Sequence, residues 1–545
     1  METRITKTPS AYSYPLLIKN LLFSPYAYNP DQEIVYRDTV RMSYRLMRER
    51  VSRLAAALIA LGIKPGDTVA VMDWDSHRYL ECYFAIPMIG AVLHMINIRL
   101  SPEQMLYTIT HAEDKVILVN PDFVPVLEQL KGRIDTVEHY VLLAGPEEKP
   151  ETSLKLSGAY EELLERAEPL AEFPEFDENT RATTFFTTGT TGLPKGVYFS
   201  HRQIVIHTLA MMNTLTMPAG RSRLHMEDVY MPITPMYHVH AWGIPFIATM
   251  LGIKQVYPGK YLPDMLLKLI DREKVTYSHC VPTIVHMLLS DPTSKNYDLS
   301  RWKVIIGGSA LPRALVIEAL KRGIVIYCGY GMSESCPVIS IQHLSEEENA
   351  LPPEARADLL VRTGRPIGLV DLKIIGPHGE VPSDDKSTGE IVVRAPWLTQ
   401  GYLKDASNSE KLWEGGWMHT QDVACRDATG SLRITDRIKD VIKVGGEWIS
   451  SLEIEDILCL HPGISEAAVI GHPHPNWGEV PFAIVVAKAG EAPKERALIK
   501  HVKKYIDLGL VPREVILMKI KFVAALEKTG VGKTNKVELR KKHLP

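Results

Sequence analysis

The sequence has no C-x-x-C pair: its six cysteines, Cys82, Cys280, Cys328, Cys336, Cys425 and Cys459, stand far apart. That spacing excludes a disulfide framework and a zinc site, and it fits a reducing cytosol. No uninterrupted apolar run approaches the ~18 residues of a membrane span, and Met1 to Ser10 lacks a basic segment followed by an apolar one. The expectation is a cytoplasmic protein with no integral membrane association. An excess of one charge is missing too, since 62 Lys and Arg face 65 Asp and Glu for a net charge of −3. Nothing global attracts a polyanion, so nucleic acid is not expected as a partner. Fixed-period repeats and long low-complexity tracts are absent as well, which excludes solenoids.

What is present is a chain of 545 residues, 45% hydrophobic and 23% charged. At ~150 residues per domain, that length predicts at least two domains with a sizeable core. Met47, Val51, Leu54, Leu58 and Leu61 recur at helical spacing after Ser43, and Gly62 can close that helix in the left-handed conformation. Thr68 to Met72 and Val116 to Val119 read as short buried strands between helical stretches, the alternation of an α/β fold. Lys303 to Ile306 runs into Gly307-Gly308-Ser309, and Ile324 to Tyr327 runs into Gly329-Tyr330-Gly331, so two strands each end in a glycine-rich turn. Ligands of α/β sheets sit at such strand ends, although plain strand-to-helix turns look the same. After about residue 437, strands at Ala467 to Ile470 and Phe482 to Val486 surround a helical stretch from Ala497 to Leu508. A separate small α+β domain is expected there. The basic tail from Lys533 to His543 reads as a solvated helix face.

The richest stretch chemically is Thr187-Thr188-Gly189-Thr190-Thr191-Gly192-Leu193-Pro194-Lys195-Gly196. Its glycines let backbone N–H groups turn toward an anion, its threonines add hydroxyl donors, and Lys195 adds positive charge, which together describe a phosphate cradle. The P-loop pattern G-x-x-x-x-G-K-[ST] fails here. The one Gly-Lys-Thr, at Gly532 to Thr534, would need glycine at Glu527 and leaves eleven residues, too few for the sheet that should follow.

Thr187 to Gly196 resembles the signature [ST]-[SG]-G-[ST]-[ST]-G-x-P-K-G of the adenylate-forming superfamily. That superfamily contains acyl-CoA synthetases, carrier-protein adenylation domains and beetle luciferases. Further matches follow in order: Gly307-Gly308-Ser309-Ala310, Tyr330-Gly331-Met332-Ser333-Glu334, Asp422, Asp436 to Asp440, Gly445-Gly446-Glu447 and Gly532-Lys533. They span roughly residues 40 to 540. The resemblance implies a large multi-layer α/β region, residues 1–437, holding the ATP and acyl sites, and a smaller mobile α+β lid, residues 438–545.

The reaction it implies has two steps: a carboxylate attacks the α-phosphate of ATP to give acyl-AMP and pyrophosphate, then the thiol of CoA displaces AMP. Two anions must meet, so cationic groups and N–H donors are required at the α-phosphoryl group. The family pattern makes Lys533 the bridge between carboxylate and α-phosphate and Glu334 the ligand of Mg2+, a hard ion suited to carboxylate oxygen. Ser333 would offer its hydroxyl to the α-phosphate. Thr187 to Gly192 and Lys195 would hold the phosphates, with Lys195 counted among the catalytic residues. Tyr330 would stack on adenine, Gly308 and Ser309 would line its other side, and Gly331 and Met332 would continue that wall. Asp422 would accept from the ribose hydroxyls, with Arg437 beside it. By residue type alone, a packed core tyrosine and a turn aspartate read the same way.

Lys439 takes the hinge position, and Lys443, Gly445 and Gly446 would line the channel for the thiol arm, where glycine leaves room. Pro235 to Trp242 matches a segment near the carboxylate, so His238 would sit beside the acyl phosphate, with Trp242 and Gly307 walling an apolar pocket. A core histidine is the alternative for His238. The His-x-His-Ala-Trp form is similar to short- and medium-chain fatty acyl-CoA ligases, including those acting on methylthio-substituted propionate. Activation of an aryl acid, loading of a separate carrier protein and a non-catalytic nucleotide sensor are the rival readings. Expected partners are small molecules, with a homodimer left open. Three positions depart from the family: Gln421 stands where glycine is usual, Glu527 where proline is common, and Leu452 where proline is frequent.

Overall fold

The computed structural model describes residues 5–145, 150–187, 193–218, 220–445, 447–488, 490–491, 493–509, 511–528 and 534–544. The helix anticipated after Ser43 runs from Tyr44–Ala60. The Ser43 hydroxyl accepts the Leu46 N–H at its start, and Gly62 sits at φ +89° just past its end. It buries Met47, Val51, Leu54 and Leu58, the periodic face.

Among the described residues the strands form four sheets. In the first, Val325–Gly331, Lys303–Ile306, Tyr277–Cys280, Val229–Pro232, Lys254–Tyr257 and Glu33–Tyr36 lie parallel, with Val40–Ser43 antiparallel at one edge and Val338–Ile341 and Arg365–Pro366 antiparallel at the other. In the second, Thr68–Met72, Val92–Met95 and Arg181–Phe186 lie parallel, and Gly196–Ser200 folds back antiparallel at the edge. The third is antiparallel and includes Gly389–Arg394, Met418–Arg426 and Leu432–Arg437. The fourth contains Ile442–Val444, Glu447–Ile449, Ile464–His474, Gly478–Ala487 and Lys519–Phe522.

One continuous hydrophobic cluster gathers buried residues from Ile18 to Leu432. Two smaller clusters draw only on residues between Ile442 and Leu539. The fold class is therefore the one anticipated: a large layered α/β region followed by a smaller α+β unit. The two parts meet on the strand Leu432–Arg437. Arg433 pairs with Glu453 at 2.6 Å, the Ser451 N–H donates to Asp436 at 2.6 Å, and the Ser450 hydroxyl donates to the Thr435 carbonyl. Among the described residues, no helix is long and apolar enough to cross a membrane.

Two sequence expectations need correction. Gly329-Tyr330-Gly331 is not a turn but the end of the strand Val325–Gly331, which pairs antiparallel with Val338–Ile341 across a bulge at Tyr330/Gly331. A Cβ on Gly331 would lie 1.8 Å from the Pro337 carbonyl oxygen, so this glycine permits strand crowding rather than a turn. The basic tail is only partly a solvated face. In the helix Lys536–His543, Lys536 pairs with Glu455 and Arg540 with Asp440, each at 2.7 Å, and Leu539 is buried.

Candidate functional site

The parallel strands Lys303–Ile306 and Val325–Gly331 place two candidate segments side by side. Gly307 is buried, while Gly308, at φ +76°, and Ser309 are exposed at the strand end. Tyr330, Gly331, Met332 and Ser333 are half-buried on the neighbouring chain. Thr187 and Lys195 close the hairpin made by Arg181–Phe186 and Gly196–Ser200. The Thr187 N–H donates to the Lys195 carbonyl at 3.0 Å, and the Lys195 N–H donates to the Thr187 hydroxyl at 3.2 Å. Thr188, Gly189, Thr190, Thr191 and Gly192 lie outside the described residues, as do Gly446 and Lys533.

Two contact chains converge here. In the first, the Lys195 ammonium lies 4.6 Å from the centre of the Tyr402 ring, and the Tyr402 hydroxyl donates to Glu334 Oε1 at 2.7 Å. Burial pushes the Glu334 carboxyl above the usual carboxylate range, opposed by the Tyr402 hydrogen bond and the positive charges of Lys195 and Arg437. In the second, the Tyr330 hydroxyl donates to Asp422 Oδ2 at 2.8 Å, and Arg437 Nε lies 3.1 Å from Asp422 Oδ1. Asp422 and Arg437 face each other in strand register. Burial raises the Asp422 carboxyl, and Arg437 is the largest opposing influence. An ammonium, a guanidinium and two buried carboxylates are thus held beside open strand ends, a setting able to bind a phosphorylated ligand and a hard cation.

Gln421 occupies its departure from the family at φ +59°, with the side chain exposed. Its N–H donates to Glu390 at 2.9 Å, and its carbonyl accepts the Ile438 N–H at 2.9 Å. The left-handed backbone explains why glycine suits this position. Leu452 lies in the first turn of the helix Ser451–Cys459, where proline is also tolerated. Glu527 pairs with Lys542, and its carbonyl accepts the Asn535 N–H at 2.8 Å.

On the apolar side, Trp242 packs so closely on Gly307 that a Cβ there would sit 2.9 Å from the indole. The Trp242 ring also tilts onto His279, with ring centres 5.1 Å apart. Trp242 belongs to a run of left-handed residues, with φ of +50°, +55°, +45°, +59° and +74° from Val239 through Gly243. For non-glycine residues this conformation costs ~1–2 kcal/mol each, so tertiary contacts must hold it. They are buried and specific. Asp75 accepts the Met236 N–H at 2.9 Å, the Tyr83 hydroxyl donates to the Met236 carbonyl, and His240 Nε2 bonds Thr183 Oγ1 at 2.8 Å. Burial pushes Asp75 up to about 8 and His240 down to about 3. His238 itself is exposed at the entrance to this turn.

The remaining candidates lie elsewhere. Lys443 is exposed, and its ammonium sits 5.7 Å from the Trp448 ring centre. Gly445, at φ +61°, packs against Trp477, which accepts its N–H at 2.9 Å. Both contacts fall within the C-terminal sheet. Lys439 is exposed, burial of its stem lowers its pKa, and its carbonyl accepts from Arg540 at 3.0 Å.

Sequence reasoning missed Tyr402, Asp75 and Tyr83. Asp73 and Asp75, two acids directly after the apolar strand Thr68–Met72, were a visible signal. Tyr402 carried none by residue type. Among the described residues, no group of three or more His, Cys, Asp or Glu side chains forms a metal cluster.

The sequence model of the AMP-binding enzyme family matches residues 24–403, and that of the AMP-binding enzyme C-terminal domain matches residues 453–533. A long-chain-fatty-acid–CoA ligase of Thermus thermophilus is 39% identical over 508 residues, covering 92% of this chain and 90% of that protein. A 3-methylmercaptopropionyl-CoA ligase of Ruegeria lacuscaerulensis is 37% identical over 536 residues, covering 96% and 97%. The crystal structure of an anthranilate CoA ligase in complex with anthranoyl-AMP superposes with a TM-score of 0.81 at 23% identity, covering 97% of this chain and 98% of that one. At that identity the likeness speaks for the fold.

Proposed function

We propose, because this chain belongs to the AMP-binding enzyme family, that it is an AMP-forming acyl-CoA ligase for short- or medium-chain carboxylic acids. It joins the acid to ATP as acyl-AMP with release of pyrophosphate, and then passes the acyl group to CoA with release of AMP. The observation that carries this reading is the convergence of Lys195–Tyr402–Glu334 and Tyr330–Asp422–Arg437 beside the ends of two parallel strands.

In this mechanism Lys195 and Thr187 hold phosphate oxygens at the mouth of the hairpin. Tyr330 packs against the adenine, and Asp422, oriented by the Arg437 guanidinium, accepts from the ribose. Ser333 donates to the α-phosphate. The donor set fits Mg2+, which takes one or two carboxylates and fills its shell with phosphate oxygens and water; Glu334, a buried carboxylate with one oxygen bonded to Tyr402, is the residue to hold it. Bound there, the ion would neutralise charge on the phosphates. His238 and Lys533 are assigned to the reacting carboxylate on the family motif, and Lys443, Gly445 and Gly446 to the thiol channel. Residues 1–437 then form the substrate-binding part and residues 438–545 a lid turning at Lys439.

The acyl class follows from two considerations. The relatives act on fatty and methylthio acids by name, and the indole of Trp242 fills the space over Gly307, which suits a shallow pocket. A coupled assay of pyrophosphate release with ATP, CoA and a series of aliphatic and aromatic acids tests it. Turnover is expected with aliphatic acids of short to medium length. Absence of pyrophosphate with every acid overturns the ligase reading, and a preference for aromatic acids overturns the substrate class.

A further inference from the structure

We infer that His111 is a positioning residue of the nucleotide site: by holding the main chain at Leu403 it keeps Tyr402 between Lys195 and Glu334, and so sets the affinity for Mg-ATP. The identity of the ligand rests on the ligase reading. His111 lies in the last turn of the helix Pro102–Ala112, outside every matched motif. Its Nε2 bonds the Leu403 carbonyl at 2.9 Å. A carbonyl only accepts, so the imidazole carries a proton on Nε2 and donates it.

The Leu403 peptide is held from two sides. Its carbonyl takes the His111 N–H, and its own N–H donates to the Gly196 carbonyl at 2.8 Å. Gly196 permits that approach, because a Cβ there would lie 3.0 Å from Leu403 Cβ and 3.1 Å from the Phe186 ring. The His111 ring meets Phe186 edge on, with ring centres 5.9 Å apart, and tilts against Tyr107 at 5.1 Å. Phe186 directly precedes Thr187. One half-buried imidazole therefore touches both the strand that leads into the phosphate loop and the backbone that follows Tyr402. Lys404 adds a second tie to the same helix end, to the His111 carbonyl at 3.1 Å and to Glu113 at 2.8 Å. That tie is exposed, where such contacts contribute little.

Tyr402 has two charged groups to meet at once. Its ring centre lies 4.6 Å from the Lys195 ammonium, and its hydroxyl donates to Glu334 at 2.7 Å. A hydroxyl hydrogen bond keeps its strength only within a window about half an ångström wide, so the backbone that carries this side chain has to be fixed. On one side the Ser409 hydroxyl accepts the Tyr402 N–H at 2.8 Å. On the other, the next peptide is the one clasped by His111 and Gly196. Loss of the imidazole N–H leaves the Leu403 carbonyl without that donor and frees the segment to shift away from Glu334, the residue that would hold Mg2+.

The test uses the full chain in three readouts: hydrogen exchange of the Leu403 amide without substrates, calorimetric titration with Mg-ATP, and steady-state pyrophosphate release. His111→Phe keeps an aromatic ring against Phe186 and Tyr107 and removes the N–H. It is expected to speed Leu403 exchange, to weaken Mg-ATP binding and raise the KM for Mg-ATP roughly three- to tenfold, and to leave the KM for the acid unchanged. His111→Gln, which supplies an amide N–H, is expected to recover part of the loss and guards against a folding defect in the phenylalanine variant. In a Tyr402→Phe background the effect of His111→Phe should shrink to less than about twofold, because the hydroxyl through which His111 acts is already gone. Effects that multiply in the double variant overturn the inference, as does a fall in kcat with the KM for Mg-ATP unaltered, the mark of a merely structural role. Wild-type Mg-ATP affinity in His111→Phe with a loss in His111→Gln overturns it too, since ring packing then carries the effect. The outcome is separable from the ligase reading: a wild-type enzyme that releases no pyrophosphate with any acid refutes the reaction, whereas exchange and titration answer for His111.

Discussion

Replacing Tyr402 with phenylalanine isolates one hydrogen bond. Phe retains the ring that lies 4.6 Å from the Lys195 ammonium and deletes only the hydroxyl that donates to Glu334 Oε1 at 2.7 Å. A hydrogen bond to a charged group contributes ~1.5–3 kcal/mol. At 1.36 kcal/mol per factor of ten, its loss corresponds to a fall of roughly 10- to 150-fold in kcat/KM for Mg-ATP. The pH dependence has a defined sign. Burial already raises the Glu334 carboxyl, and the Tyr402 hydroxyl opposes that by favouring the charged form. Without the hydroxyl the pKa rises further, so activity that needs the carboxylate is lost at a higher pH as the solution is acidified. Pyrophosphate release measured across pH in Tyr402→Phe and wild type reads both effects. A kcat/KM equal to wild type, or a loss of the same size at every pH, refutes the assignment of Tyr402 as the residue that keeps Glu334 ionised.

Gln421→Gly is expected to stabilise the protein by about 1 kcal/mol, because the left-handed backbone strains a residue with a Cβ, the side chain is exposed and both backbone bonds remain; a urea midpoint at or below wild type counts against this. Trp242→Ala opens the space over Gly307, so kcat/KM should shift toward longer acids by up to ~0.8 kcal/mol, about fourfold, per added methylene, and an unchanged chain-length profile refutes the wall. Asp75→Ala removes the acceptor of the buried Met236 N–H and is expected to destabilise by ~1–3 kcal/mol while raising the KM for the acid; a variant with wild-type stability and KM shows that the turn holds itself. Lys533→Ala should lower adenylation ~10²–10³-fold and spare thioester formation from supplied acyl-AMP, and equal loss of both half-reactions contradicts the division of labour.

Much of the layered fold was legible because its signals are local. The helix Tyr44–Ala60 announced itself by a capping serine, a periodic apolar face and a closing glycine, and the structure uses each of them. Gln421 was visible as a departure at a glycine position, and the structure supplies its physical meaning, a φ of +59°. The turn from Val239 to Gly243 could not be read. Valine and tryptophan resist the left-handed region, and the contacts that impose it come from Asp75, Tyr83 and Thr183, far away in the chain. Tyr402 was hidden for a different reason. It is one of 22 tyrosines, and its distinction is the pair of charged groups on its two sides, which only the fold brings together. The glycines at 329 and 331 misled because the sequence shows that glycine is required without showing why: close strand approach and a tight turn both need it.

Residues 421 and 422 lie against residues 437 and 438, at the entry to the C-terminal part of the protein. Asp422 faces Arg437 in register and pairs with it, while one residue earlier the Gln421 carbonyl holds the Ile438 N–H. The chain then passes to Lys439, whose carbonyl is bound by Arg540 of the final helix. A ligand that takes over the Asp422 carboxylate frees the Arg437 guanidinium from its only ion pair among the described residues, directly before the backbone leaves the third sheet. Gln421, in the left-handed conformation, directly precedes Asp422, so a backbone shift there would disturb both contacts. The Asp422–Arg437 pair and the Gln421–Ile438 hydrogen bond therefore share one pair of strands, and neither can change without altering the footing of the other.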